Sequence, residues 1–142
     1  MKFMVIVRAT PESESGAMPS QDMLAQMGRY NEELAKAGVM LDGQGLYASA
    51  KGARVRFDGD RRSVIDGPFA ETKELIAGFW LFRTASLQEA IEWVKRCPNP
   101  DGGQSEIEIR QVYEDGTCGG DLSPELQAQH ERIRAQLEAR SP

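Results

Sequence analysis

Between Asp66 and Glu74 the chain sets three carboxylates and one amine, Asp66, Glu71, Lys73 and Glu74, behind a Gly67-Pro68 turn. A carboxylate held at a strand end by a rigid turn suits general acid or base catalysis, once burial or a neighbouring carboxylate moves its pKa toward the working range. Asp66 and Glu71 are therefore the candidate catalytic residues. Lys73, flanked by carboxylates, has its charged form favoured, which makes it an anion anchor rather than a nucleophilic amine. Tyr30 and Glu33 lie three apart on a predicted helix and share one of its sides, so Tyr30, Glu33, Lys73 and Glu74 form the candidate ligand-binding set. A plain structural role stands beside each assignment. Asp66 can bond backbone N–H groups two residues on and nucleate the turn, the acidic run can be a solvated edge, and Tyr30 can be core with its hydroxyl at the rim.

Other chemistries find no support in the pattern. There is no Ser-His-Asp arrangement, phosphate-binding loop or dinucleotide fingerprint. One histidine, His130, and two cysteines, Cys97 and Cys118, supply neither metal-ligand spacing nor a disulfide framework. No cofactor and no metal are expected. A net charge of −5 argues against a nucleic-acid partner, whose phosphates require clustered Lys and Arg. Arg61-Arg62 follows Asp58-Gly59-Asp60 and decorates a hairpin. No apolar run approaches the roughly 18 residues of a membrane span. The apolar start, Phe3 to Val7, is interrupted by Arg8 without a cleavage site and is a first strand rather than a signal peptide. A reducing cytoplasm is the expected location.

The elements that must position these residues are legible along the chain. Lys2 to Arg8 is apolar on both faces, as a central strand is, and a loop rich in Pro, Glu, Ser and Gly is expected after it. Ser20 caps a helix in which Met23, Met27, Tyr30 and Leu34 recur at helical spacing, and Gly38 closes it. Val39 to Asp42 is a short strand, and Gly43-Gln44-Gly45 after it permits a turn, the expected reading, or the close approach of a ligand. Ala53 to Phe57 and Arg61 to Ile65 flank Asp58-Gly59-Asp60 as a hairpin. Ile76 to Phe82 is a second central strand. Ser86 with Glu89 fits a capping box opening a helix that Pro98 ends. Glu106 to Arg110 alternates as a last strand, extended to Tyr113, and Ser123-Pro124 opens a polar tail helix. The order makes an α+β fold of the ferredoxin-like β-α-β-β-α-β kind, with an inserted β-hairpin and a C-terminal helix. Residues 1–114 form the main domain, and residues 115–142 a Gly-rich linker and that helix. Both main helices cover one sheet face. Met4, Ile6 and the Phe79 to Phe82 run leave the other face apolar, so a homodimer is expected.

Asp66-Gly67-Pro68-Phe69, followed by Glu71, Lys73, Glu74 and Gly78, resembles the DGPF signature of the YCII-related family. Tyr30-Asn31-Glu32-Glu33-Leu34 with Ala37-Gly38-Val39 is similar to that family's first-helix signature. The resemblance spans residues 1–114 and implies a dimeric α/β barrel. It brings no established reaction for the DGPF branch, whose members are often encoded beside extracytoplasmic-function sigma factors. Relatives in the wider superfamily, such as muconolactone isomerases and small monooxygenases, work in a cleft between sheet and helices. The YciI branch is proposed to use a histidine at the start of the first helix and an aspartate after the second. Here those segments are Gln21-Asp22-Met23 and Pro98-Asn99-Pro100-Asp101. The histidine is absent, and His130 sits in the tail helix, where it is expected to face solvent.

Two functions remain open on the residues. One is a small-molecule cleft near the DGPF turn, binding an anionic metabolite and, if catalytic, running cofactor-independent acid/base chemistry of an isomerase or lyase type. The other is a non-catalytic regulatory or interaction protein, which the resemblance would link to sigma-factor signalling, with the tail helix as its docking element through Leu126, Ile133 and Leu137.

Overall fold

The computed structural model describes residues 1–99, 102–114 and 120–140, with Lys73 through its backbone alone. The chain forms two compact units, Met1–Gln111 and Val112–Pro142.

In the first unit, β1 (Lys2–Arg8) leads through a short helix, α1 (Pro11–Glu14), to α2 (Gln21–Lys36) and β2 (Met40–Gly45). The hairpin strands β3 (Ala53–Asp58) and β4 (Arg61–Asp66) follow, then β5 (Ile76–Arg83), α3 (Leu87–Lys95) and β6 (Ile107–Gln111). The main sheet runs in the order β2-β5-β1-β6 with every neighbouring pair antiparallel. β5 and β1 are thus the central strands, as their two-sided apolar pattern requires. Among the described residues β3 and β4 pair only with each other. With α2, α3 and the split β-α-β-β-α-β order, the fold is the expected ferredoxin-like one carrying an inserted hairpin.

Register sorts the side chains by face. Phe3 stands opposite Phe82 and Val5 opposite Trp80 and Ile109, and Phe3, Val5, Trp80 and Phe82 are buried together with Tyr30 and Leu34 of α2 and Ala90 of α3. Each Val, Leu or Phe among them contributes about 1.5–3 kcal/mol on leaving water. The Tyr30 and Trp80 rings meet edge to face, 5.7 Å apart, and Trp80 Nε1 donates to Asn31 Oδ1 at 2.9 Å. On the other face Met4 opposes Leu81 and Ile6 opposes Phe79; these four are half-buried and neither α2 nor α3 lies over them.

Local chemistry sets the helix ends. Ser20 Oγ accepts from Met23 N at 3.1 Å and Ser86 Oγ from Glu89 N at 3.1 Å, each satisfying a donor that has no partner within its helix. Glu89 reaches one residue beyond the cap, accepting from Ala85 N at 3.1 Å. Gly38 takes the left-handed conformation, φ +71°. β6 ends at Gln111, short of the predicted Tyr113.

Two expectations are corrected. Gly43-Gln44-Gly45 belongs to β2 rather than to a turn: a Cβ on Gly43 would stand 2.8 Å from both Met40 Cε and Trp80 Cδ1, so packing under Trp80 selects this glycine. The segment after β1, expected as a loop, contains α1, where Thr10 Oγ1 accepts from Ser13 N and Ser13 Oγ accepts from Thr10 N.

In the second unit, α4 (Pro124–Arg140) is capped by Ser123, whose Oγ accepts from Leu126 N at 3.3 Å. Arg134 Nη2 donates to Glu114 O at 2.7 Å. No residue of α4 is buried, and His130 is half-exposed rather than fully solvent-facing. Among the described residues no helix is long and apolar enough to cross a membrane.

Candidate functional site

One end of the sheet collects the end of β1, the end of β2 and the starts of β5 and β6. Three connections meet there: α1 with its flanks, Leu46–Gly52, and Gly67–Leu75. Ala9 N donates to Leu75 O at 2.9 Å and Leu46 N to Ala77 O at 2.8 Å, which ties them to the strand ends.

The Asp66-Gly67-Pro68-Phe69 corner is held from two sides. Gly67 N donates to Gly52 O at 3.0 Å, across the base of the hairpin. Phe69 N donates to Ser49 Oγ at 3.0 Å. Ser49 is itself gripped by Glu14, whose Oε1 accepts from Ser49 N at 3.1 Å and whose Oε2 accepts from Ser49 Oγ at 2.6 Å. A carboxylate accepting two such bonds is stronger than a neutral acceptor. Gly67 packs so tightly on the Ser49–Ala50 peptide that a Cβ there would overlap the Ser49 carbonyl oxygen and lie 2.6 Å from its carbon. The Gly67-Pro68 peptide is cis.

Asp66 does not close the turn. The residue two positions on is Pro68, which has no N–H, and the next N–H, that of Phe69, is taken by Ser49. Asp66 is exposed at the end of β4 opposite Ala53, and its carboxylate has no partner among the described residues. Glu71 and Glu74, exposed at the two ends of a 3₁₀ turn, are likewise unpartnered through their side chains among the described residues. The Lys73 side chain, Asp101 and Cys118 lie outside the described residues.

Tyr30 and Glu33 are not brought to this corner. α2 starts at the corner end of the sheet and runs away from it. Glu33, the thirteenth of its sixteen residues, is about 18 Å along the axis from Gln21. The Tyr30 hydroxyl donates to Trp93 O at 2.8 Å. Burial first, then Cys97, holds its phenol well above the ordinary value, so it is a fixed hydrogen-bond donor of the core. Glu33 Oε2 pairs with Arg96 Nη2 at 2.6 Å on the surface, and Arg96 also lies over the Trp93 ring, 4.3 Å from its centroid. Cys97 is half-buried, and its thiol is pushed up to about 11 by burial, which leaves it unreactive at neutral pH.

Arg54, Glu14 and Ser49 were not found from the sequence. The Arg54 guanidinium lies over the Phe69 ring, 3.9 Å from its centroid. Arg54, Arg56 and Arg61 fall on one face of the hairpin, with Ile65 and Ser63 opposite the first two. None of the three has a carboxylate at ion-pair distance among the described residues, although the chain is acidic overall. Alternation along Ala53–Phe57 was the available signal. The stacking on Phe69 was not, because it joins residues fifteen apart through a turn whose angle is set by Ser49.

Gly45 stands directly opposite Gly78 on the helix-facing side of the sheet. A Cβ at Gly45 would meet nothing within 4 Å, whereas one at Gly78 would meet Gln44 O at 2.8 Å. The sheet at this end therefore carries bare backbone where other positions carry side chains. Among the described residues no three His, Cys, Asp or Glu side chains are grouped as metal ligands.

Comparison with known proteins places the chain. The YCII-related domain matches residues 1–114. An uncharacterised protein of Rhizobium meliloti (strain 1021) is 34% identical over 98 residues, which cover 68% of this chain and 76% of that protein. Among solved structures, a 5-chloro-2-hydroxyhydroquinone dehydrochlorinase from Burkholderia phenoliruptrix, in complex with 2,5-dihydroxybenzoquinone, aligns over 80% of this chain and 94% of its own at 17% identity and a TM-score of 0.45. That likeness is too loose to carry a reading of function. The family match, spanning the whole ferredoxin-like unit and the DGPF corner within it, shows that this chain belongs to the YCII-related family.

Proposed function

We propose that the chain works as a homodimer, joined through the sheet faces that bear Met4, Ile6, Phe79 and Leu81, and that it binds a small anionic metabolite at the Asp66–Phe69 corner. The observation that carries the reading is Arg54 stacked on Phe69 with no carboxylate partner among the described residues. Stacking fixes the plane of the guanidinium and leaves its edge donors turned outward, the geometry that takes a carboxylate or phosphate through two parallel bonds. Arg56, on the same face about 7 Å further along β3, extends the site to a second anionic group. The exposed carboxylates of Asp66, Glu71 and Glu74 limit how much negative charge the ligand can carry.

Binding is favoured over turnover. A general acid or base is tuned by burial or by a close neighbour, and Asp66, Glu71 and Glu74 are exposed and unpartnered among the described residues. Acid/base catalysis by Asp66 and Glu71 would need a cover over the corner.

Thermal melting against a panel of small mono- and dicarboxylates and inorganic phosphate tests the reading. A ligand at about a hundredfold over its Kd stabilises by about 2.7 kcal/mol, a shift of several degrees. Arg54→Ala should weaken binding at least tenfold, while Arg83→Ala, at the other end of β5, should leave it unchanged. If no anion shifts the melt, or Arg54→Ala binds as tightly as the parent, the corner is not an anion site.

The second reading, α4 as the docking element of a regulatory protein, draws on Leu126 and Ile133, seven apart on α4 and 45% and 47% exposed. Deleting residues 121–142 should then abolish partner binding; unchanged binding would sink it.

A further inference from the structure

The β3–β4 ribbon has a second face, opposite the one that carries Arg54. Ala53, Val55 and Phe57 share it with Asp66, Val64 and Arg62, the residues paired directly across from them. Val55 is 52% exposed, Phe57 67% and Val64 70%. Arg62 lies over the Phe57 ring, 4.5 Å from its centroid. A two-stranded ribbon standing alone is marginal in water, and gains its order when an apolar face is covered. Among the described residues this ribbon hydrogen-bonds to no other strand, and none of them covers its apolar face enough to bury it.

We propose that the β3–β4 ribbon is a dimerisation arm whose Val55–Phe57–Val64 face is covered by a second copy of this chain. The proposal rests on the homodimer of the preceding section and adds the element that completes its interface. Area is the first argument. A stable interface takes about 800 Å² from each partner. The uncovered sheet face, four strands wide and about six residues long, measures on the order of 400 Å² in plan, and the ribbon adds about 200 Å². Neither surface suffices, and their sum approaches the requirement once side-chain relief is included. Symmetry is the second. In a two-fold dimer each chain offers the same patch, so an arm and a sheet face on one unit find their complements on the other. Charge is the third. The Val55–Phe57–Val64 face carries one arginine, Arg62, and one aspartate, Asp66, so covering it sets no net charge against a second copy of net charge −5.

Sedimentation velocity over a dilution series, on the full chain, tests the arm separately from the sheet face. The parent should be dimeric. Phe57→Asp combined with Val64→Asp should raise the dimer dissociation constant at least tenfold. Phe79→Asp reports on the sheet face. A parent that stays monomeric at every concentration overturns both readings. A double arm variant that dimerises like the parent, while Phe79→Asp does not, overturns the arm and keeps the sheet-face dimer. Loss of dimer in the arm variant with Phe79→Asp unchanged keeps the arm and removes the sheet face. Should either variant fold poorly, hydrogen exchange on the parent decides the arm: amides of Val55, Phe57 and Val64 should gain protection as concentration rises. Protection independent of concentration counts against the proposal.

Discussion

Replacing Gly67 by Ala places a methyl group on top of the Ser49 carbonyl, with Ala50 N only 3.2 Å away. Both obstacles are backbone, so no side-chain rotation relieves the clash. Forcing a methyl group into a filled space costs about 1–3 kcal/mol. The displacement also loosens the Gly67 N–Gly52 O and Phe69 N–Ser49 Oγ bonds, each worth about 0.5–1.5 kcal/mol net. The sum is about 2–6 kcal/mol. A chain of this length loses about 3 °C of melting temperature per kcal/mol, so the variant should melt about 6–18 °C below the parent. Gly28, in the middle of α2, is the matched control, because a Cβ there meets nothing within 4 Å. Gly28→Ala should gain about 0.5–1 kcal/mol from helix propensity, raising the melt by about 2–3 °C. Scanning calorimetry of the three proteins in one buffer measures both. A Gly67→Ala melt within about 2 °C of the parent would refute the close approach of the corner to Ser49, and with it the account of how Phe69 is aimed.

Ser49→Ala should cost about 1–3 kcal/mol, because Glu14 Oε2 and the Phe69 N–H both lose the hydroxyl while Glu14 Oε1 keeps the Ser49 N–H, and it should weaken anion binding through Arg54; equilibrium unfolding beside the ligand panel checks both. Glu33→Ala removes a surface pair with Arg96 whose side chains are 54% and 53% exposed. It should change stability by no more than about 0.5 kcal/mol and leave ligand affinity unaltered, whereas a loss of affinity would return Glu33 to the site. Cys97 titrates near its ordinary value of 9 when unfolded and at about 11 in the fold. Its neutral thiol therefore contributes stability that is fully present below about pH 9 and is lost as pH rises toward 11. Denaturation profiles of Cys97→Ala should fall less steeply than the parent's across that window, and parallel profiles would refute the burial argument.

What was legible in the sequence was whatever depends on near neighbours. Asp58-Gly59-Asp60 announces the hairpin, Ser20 and Ser86 announce helix starts, and two-sided apolar runs mark β1 and β5 as central. What was hidden depends on contacts between distant residues. Gly43 and Gly45 look like a turn pair, and only the indole of Trp80 explains the first. Asp66 looks like the turn-forming residue, yet Ser49, seventeen positions earlier, takes the Phe69 N–H, and Glu14 holds Ser49 from thirty-five residues away. Tyr30 and Glu33 share a helix side as spacing predicts, but the direction of α2 carries Glu33 away from the corner, which spacing alone does not report. Arg54 was passed over because an arginine in an alternating strand looks like a solvated edge until the Phe69 ring is placed beneath it.

The stacking of Arg54 on Phe69 ties the arm to the corner by a contact of modest size. An exposed guanidinium–ring pair is worth about 0.5–1 kcal/mol, and an energy gap of about 1 kcal/mol corresponds to one molecule in about seven with the pair open at room temperature. An anion that bridges Arg54 and Arg56 while the ring supports the guanidinium draws on the closed majority and depletes the open minority. Ligand occupancy at the corner and the average angle of the hairpin are then two readings of a single equilibrium. A probe on the hairpin tip, far from any ligand atom, would register binding at its base.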